Sequence, residues 1–187
     1  MTTIRIHSLQ NNASDETIDE CVAVFRAVGK SYEDCQSLQR YLACGVVLVA
    51  KVGGRVVGVA LSTDWLPVDT KRWQEFVPAL SSDPPAYSID QAAVLHEFRR
   101  RGIATSLVEA VTKDIWMPYN AEPYQRWMAI SRVPQSGPSS HSILKRLGFN
   151  ELARDPGHYI GVEKYYCPDC EPDIHCGCVA VLMEKCR

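Results

Sequence analysis

Residues 45–61 read GVVLVAKVGGRVVGVAL, two runs rich in β-branched residues meeting at Gly53-Gly54. Adjacent glycines between such runs suit the tight turn of an antiparallel hairpin, because they accept positive φ without steric cost. The runs are apolar at nearly every position rather than at alternate ones, so both faces of the hairpin must be covered. Helices elsewhere in the chain have to supply that cover.

They are readily found. Ser14 caps a helix with Ile18, Cys21, Val22 and Phe25 on one face, and a second helical stretch turns Tyr32, Leu38 and Leu42 inward. Ile103, Leu107, Val108, Val111 and Ile115 mark a third helix, which the pattern stops at Met117 before Pro118. SSHSILKRLGF is a fourth, closed by Gly148. Further strands are expected at Thr3–Leu9, AYSIDQAAVL and RWMAISRV, with HYIGVEKYY and CVAVLMEK as a last hairpin; Pro67–Pro85 reads as a long loop with a short helix. The order is strand, two helices, three strands, helix, strand, helix, two strands, which is a mixed α/β (α+β) sheet with helices on its faces. A chain of 187 residues can build this as one domain spanning 1–187.

Charge excludes some functions. Twenty basic and 22 acidic side chains leave a net charge of −2, so nothing draws the whole molecule to nucleic acid or to an anionic membrane surface. Any anion site is local. No segment resembles a signal peptide or an apolar membrane span, and the expectation is a cytoplasmic protein with Cys21, Cys35 and Cys44 as buried reduced thiols.

The local anion site is suggested by HEFRRRGIATSL at positions 96–107. Arg99, Arg100 and Arg101 run into Gly102 and then into the third helix, whose first N–H groups and positive dipole end suit a phosphate. Alone, the stretch equally suits a solvated basic turn. The usual Walker and dinucleotide-binding glycine patterns are absent.

AVLHEFRRRGIATSLVEAV resembles the acetyl-CoA signature of the GNAT N-acetyltransferases, with Arg99, Gly102 and Ala104 matching its Q/R-x-x-G-x-G/A motif. SSHSILKRLGF is similar to that family's next helix, ending in Gly148-Phe149, and the order of elements agrees over nearly the whole chain. The resemblance implies a splayed, mixed, mostly antiparallel central sheet flanked by helices. Acetyl-CoA would lie between the strand before Arg99 and the strand after Pro123. Its pyrophosphate would rest on the turn formed by Arg99, Arg100, Arg101, Gly102, Ile103, Ala104 and Thr105, and its pantetheine against the backbone of Ala93, Val94 and Leu95. The implied activity is direct transfer of an acetyl group to a primary amine in a ternary complex, with a small-molecule or peptide acceptor and a fold that suits a homodimer.

Two departures from the family bear on catalysis. The tyrosine that many members use as general acid aligns with Leu144, and an asparagine near the helix start aligns with Gly137. Ser140 and His141, one turn earlier, are the substitute acids. Asp90, on the strand leading to the turn, is the candidate base, since a buried strand aspartate is costly without a role; it reads equally as a hydrogen-bonded surface residue. Trp65, Trp73, Phe76 and Tyr87 are candidates for an acceptor pocket or for plain core. The departures also admit a catalytically weak acyl-CoA-binding or interaction protein, and longer acyl donors.

The tail CPDCEPDIHCGC is a Cys-rich insert at about 167–178, not a general feature of that family. Cys167, Cys170, Cys176 and Cys178 could close a tetrahedral Zn2+ site that staples the last hairpin, with His175 as an alternative fourth ligand. Only five residues separate the pairs, shorter than in ordinary zinc ribbons. A redox pair lacks its usual strand-then-helix setting, and a disulfide would need an oxidising compartment.

Overall fold

The protein is described from a computed structural model covering residues 3–9, 12–29, 34–64, 67–80, 86–113, 126–134, 139–157 and 177–186. Among the described residues seven strands and five helices follow one another as β1 (Ile4–Leu9), α1 (Asp15–Ala27), α2 (Cys35–Cys44), β2 (Val46–Val52), β3 (Arg55–Asp64), α3 (Pro67–Trp73), β4 (Tyr87–Val94), α4 (Ile103–Thr112), β5 (Arg126–Val133), α5 (Ser140–Arg146), β6 (Asn150–Asp155) and β7 (Val179–Cys186), with a 3-10 turn at His96–Phe98 between β4 and α4. The architecture is the expected mixed α/β. The described pairings β1·β2, β2·β3, β5·β7 and β6·β7 are all antiparallel.

The chain divides into two compact units, Met1–Thr63 with Ile89–Pro123, and Asp64–Ser88 with Tyr124–Arg187. In the first, β1, β2, β3 and β4 are neighbours in that order. Val46–Ala50 of β2 and Val56–Leu61 of β3 are buried at every position, in a register that sets Leu48 against Ala60 and Val49 against Val59. The unbroken apolar runs are thus covered on both faces. Helix α1 starts where Ser14 Oγ accepts the Thr17 N–H at 3.3 Å, and it buries Ile18, Cys21, Val22, Val24 and Phe25.

Gly58 lets α4 settle directly on β3. A Cβ there would stand 3.1 Å from Ile103 Cγ2, 3.2 Å from Leu107 Cδ1 and 3.2 Å from the Ala93 carbonyl oxygen. The missing side chain brings the start of α4 down onto the sheet, which fixes the turn that precedes it.

In the second unit β7 lies between β5 and β6, with Ile130 opposite Leu182 and Arg126 Nε bonded to Glu184 Oε1 at 2.5 Å. Trp73, Leu80, Ala86, Met128, Ala180 and Leu182 form its core. Helix α5 closes with the Phe149 N–H on the Leu144 carbonyl at 3.0 Å, the Gly148 N–H on the Lys145 carbonyl at 3.1 Å, and Gly148 at φ 85°, a Schellman ending.

Several sequence expectations need correction. A strand beside β7 is Asn150–Asp155, whose polar NELARD sequence hides it; among the described residues it pairs on one side only, and a polar edge strand carries no apolar signature. HYIGVEKYY and Ile115 lie outside the described residues. Helix α4 ends at Thr112 rather than Met117, because the Thr112 hydroxyl bonds the Glu109 carbonyl at 3.0 Å and Lys113 turns extended. Cys21 is buried and its thiol pushed up to about 12, chiefly by loss of solvent and by Glu20, against the opposing pull of Lys51. Cys35 instead is half-buried and donates to Asp19 Oδ1 at 3.3 Å, and Cys44 is exposed. Leu42 is only half-buried. Among the described residues no helix is long and apolar enough to cross a membrane.

Candidate functional site

The strand-turn-helix at β4 and α4 is built within the first unit. The Leu95 N–H bonds the Val57 carbonyl at 2.9 Å, which ties the exit of β4 to β3, and the Phe98 and Arg99 N–H groups close the 3-10 turn on Leu95 and His96 at 2.9 and 3.1 Å. The backbone then takes an unusual course. Arg99 is extended, Arg100 has φ 62° and Gly102 has φ 79° with ψ −3°. Among the described residues Arg100 is the one non-glycine in the left-handed region, a conformation that costs roughly 1–2 kcal/mol in a residue bearing a Cβ. Positive φ at alternate residues is the device by which successive N–H groups are turned into one anion-holding concavity.

Gly102 caps α4 without a side-chain hydrogen bond, and the first helical bond runs from the Ser106 N–H to the Gly102 carbonyl at 2.9 Å. The N–H groups of Ile103, Ala104 and Thr105 therefore have no acceptor among the described residues, and they sit at the positive end of the helix. A Cβ built on Gly102 meets nothing within 4 Å. The start of α4 is held in place by buried Ile103 and Leu107.

The three arginines differ. Arg99 Nε donates to the Val94 carbonyl at 3.2 Å. Arg101 Nη2 donates to the Glu97 carbonyl at 3.0 Å while its guanidinium lies 5.2 Å from the Phe98 ring centre, and the Glu97 carboxylate faces Arg55 Nη2 at 3.8 Å. Arg100 is exposed. Of the positions expected to meet a pantetheine, Ala93, Val94 and Leu95 are all buried, and the Leu95 N–H is already taken by β3.

The residues expected to transfer protons have different settings. Asp90 is exposed on β4 and accepts the Thr63 hydroxyl at 3.0 Å, so the premise that it is a buried charge in need of a role does not hold. Ser140 and Ser131 share a hydrogen bond of 3.1 Å. His141 Nε2 lies 3.6 Å from Glu151 Oε2, and Glu151 is gripped by Arg154 through bonds of 2.6 and 2.9 Å. Burial lowers the His141 pKa from 6.5 despite the pull of Glu151, and the hydrogen bond from Arg154 chiefly lowers that of Glu151 from 4.5. At neutral pH the imidazole is uncharged, a proton acceptor rather than an acid. Leu144, at the position of the family's tyrosine, is buried in the core. Trp73 and Tyr87 are buried too, Phe76 is exposed, and Trp65 and Gly137 lie outside the described residues.

The His141 setting has a consequence for stability. With the folded pKa below 6.5, the unfolded chain binds a proton that the folded chain refuses, so the contribution is complete above pH 6.5 and declines as the pH falls below it. Glu151 adds a loss at lower pH, beginning near its ordinary value of 4.5. Urea midpoints measured from pH 7.5 to 5.0 should fall less steeply in His141→Gln than in the wild type; parallel curves would exclude this role of burial.

Cys167, Cys170, His175 and Cys176 lie outside the described residues, and Cys178 is fully buried. Among the described residues no group of three or more His, Cys, Asp or Glu side chains could hold a metal ion, so the zinc expectation gains no support.

The family model described as the acetyltransferase (GNAT) family matches residues 13–117, from α1 through the turn and α4. The chain belongs to this family. An N-alpha-acetyltransferase of Saccharolobus solfataricus is 28% identical over 158 residues, covering 83% of this chain and 87% of that protein. One from Sulfurisphaera tokodaii is 29% identical over 160 residues, with 83% and 87% covered. The fold matches Arabidopsis thaliana NAA60, solved in complex with acetyl-CoA, with a TM-score of 0.67 at 15% identity over 99% of this chain and 100% of that one. This GNAT protein is thus an acyltransferase.

Three features of the candidate residues escaped the sequence reading. The left-handed backbone of Arg100 has no residue-type signal, since arginine does not announce positive φ. Gly58 looked like one more strand residue, although an isolated glycine in a strand hints at a close approach. The grip of Arg154 on Glu151 beside His141 joins a strand to a helix and follows no local pattern.

Proposed function

We propose that this GNAT protein transfers the acetyl group of acetyl-CoA directly to the α-amino group of a peptide or protein N-terminus. The single observation that carries the donor assignment is the open row of N–H groups at Ile103, Ala104 and Thr105 behind left-handed Arg100 and Gly102. That cradle fits a pyrophosphate in charge and in the space it leaves. Ala93 and Val94 would flank the pantetheine. The acceptor class is suggested by the two N-alpha-acetyltransferases to which the chain is similar over most of its length.

Bound acetyl-CoA supplies an activated acyl thioester; the protein has to orient it, exclude competing water and receive a proton from the attacking amine. Asp90, steadied by the Thr63 hydroxyl, is the acceptor assigned on β4. His141, kept neutral by burial, is a second side chain able to take a proton near pH 7, and Ser140 adjoins it. No covalent enzyme intermediate is needed.

The test is CoA release with peptides carrying a free α-amine, beside the same peptides with a blocked N-terminus and a free lysine, followed by mass mapping of the acetyl group. Acetylation confined to the free N-terminus is the expected result. Acetyl groups found only on lysine would overturn the acceptor class, and binding of acetyl-CoA without turnover of any amine would leave an acyl-CoA-binding protein.

A further inference from the structure

Gly45 caps α2 and leads straight into β2 with φ −143° and ψ −155°, an extended backbone that any residue adopts. Its missing side chain is therefore a matter of space. A Cβ there would overlap the Ser62 carbonyl oxygen and stand 2.9 Å from Thr63 Cγ2, so the Thr63 methyl lies over Gly45 where β3 closes on the end of α2. The seat is firm. Ser62 is buried and paired with Val46 in the β2·β3 ladder, and the Gly45 N–H is bonded to the Tyr41 carbonyl at 2.8 Å. Threonine is stiff about χ1, because two heavy atoms on its Cβ restrict the rotamers open to it. With the methyl seated, the hydroxyl is aimed across to β4, where it donates to Asp90 Oδ2 at 3.0 Å.

Asp90 needs such a partner if it is to work as a base. It is exposed between buried Ile89 and Gln91, and an aspartate carboxylate in water turns freely over a broad range of χ2. We infer that Thr63 is a positioning residue for the transfer reaction: Gly45 seats its methyl, and its hydroxyl holds the Asp90 carboxylate in the orientation that receives the amine proton. The inference rests on the proposed reading of Asp90 as the proton acceptor. Asp90 takes the proton that the amine sheds as the C–N bond forms, and the electron pair of the broken C–S bond leaves with the CoA thiolate. Thr63 acts through Asp90 alone. Its effect therefore belongs in kcat and not in the binding of acetyl-CoA.

The experiment is steady-state CoA release by the folded variants with a peptide carrying a free α-amine, or a free lysine if that is the amine acetylated. Valine keeps the shape of threonine and removes the hydroxyl, whereas serine keeps the hydroxyl and removes the methyl. Thr63→Val should lower kcat by about tenfold, the low end for a hydrogen bond to a charged group, with the KM for acetyl-CoA within about twofold of the wild type. Thr63→Ser should stay within about threefold of the wild type, since its donor is present but less firmly held. Asp90→Asn should lose about 100-fold, as expected for removal of a general base. Added to Asp90→Asn, Thr63→Val should lower kcat by less than about a further twofold, because no proton acceptor is left to position. Thr63→Ala, which lacks the hydroxyl and needs no space, should repeat the valine result in both backgrounds, and it keeps the comparison readable if valine disturbs the fold.

A Thr63→Val enzyme with wild-type kcat, a serine variant no better than valine, a loss carried by the KM for acetyl-CoA, or equal losses in both backgrounds would each overturn the positioning role while leaving Asp90 as the base. Wild-type kcat in Asp90→Asn would overturn the proton acceptor and this role together. A wild type that turns over no amine would overturn the proposed transfer, and Thr63 with it.

Discussion

Replacing Gly102 by valine is expected to weaken acetyl-CoA binding by about 100-fold or more while the protein remains folded, read by calorimetric titration with a parallel thermal melt. Two effects combine. Gly102 sits at φ 79°, a conformation that a β-branched residue adopts only at a cost of about 2 kcal/mol, so the turn would shift or strain. In addition, a Cβ at this position meets no protein atom within 4 Å, so the fold tolerates the bulk, which on the proposed reading of the turn would crowd the bound phosphate. Hydrogen bonds to a charged group contribute roughly 1.5–3 kcal/mol each, so loss of two of them accounts for the hundredfold. Alanine should show a smaller loss, because it adds less bulk over the cradle. A valine variant that binds within threefold of the wild type would show that the phosphate lies elsewhere.

The second large effect falls on stability. Gly45→Ala is expected to lower it by about 3 kcal/mol, through overpacking against backbone that cannot retreat. A Cβ at Gly45 would overlap the Ser62 carbonyl oxygen and stand 2.9 Å from Thr63 Cγ2 and 3.2 Å from the Tyr41 carbonyl oxygen. Ser62 is paired with Val46 in the β2·β3 ladder, and the Gly45 N–H is itself bonded to Tyr41 at 2.8 Å, so neither side can give way cheaply. Thr63 also carries the bond to Asp90, and any accommodation would move the proposed proton acceptor. The expected observation is a urea midpoint well below that of the wild type. An unchanged midpoint would mean that the end of α2 is far more compliant than its contacts imply.

Much of what positions the site is legible in the amino-acid sequence. Uninterrupted β-branched runs around Gly53-Gly54 become β2 and β3, Ser14 caps α1, Gly148 closes α5, and the turn before Ile103 opens α4. These features depend on interactions among residues a few positions apart, which a linear reading contains in full. The family motif lies in the same category, because its glycine and helix start are consecutive.

What resisted reading depends on partners distant in sequence or on a backbone state that residue type does not reveal. Asp90 faces solvent because β4 presents it toward Thr63 of β3, and Cys44 is exposed because α2 turns that side outward. NELARD is a strand because β7 offers it an edge. His141 is neutral because burial outweighs a carboxylate contributed by β6. The sequence by itself determined most of the helices and strands, their caps and the family motif with its glycine turn before α4, since local propensity and periodicity act within a few residues. Only the tertiary structure decided that two arginines are spent on carbonyls while Arg100 is held left-handed, that Gly58 admits α4, and which titratable groups are desolvated, since packing and desolvation arise only when distant segments meet.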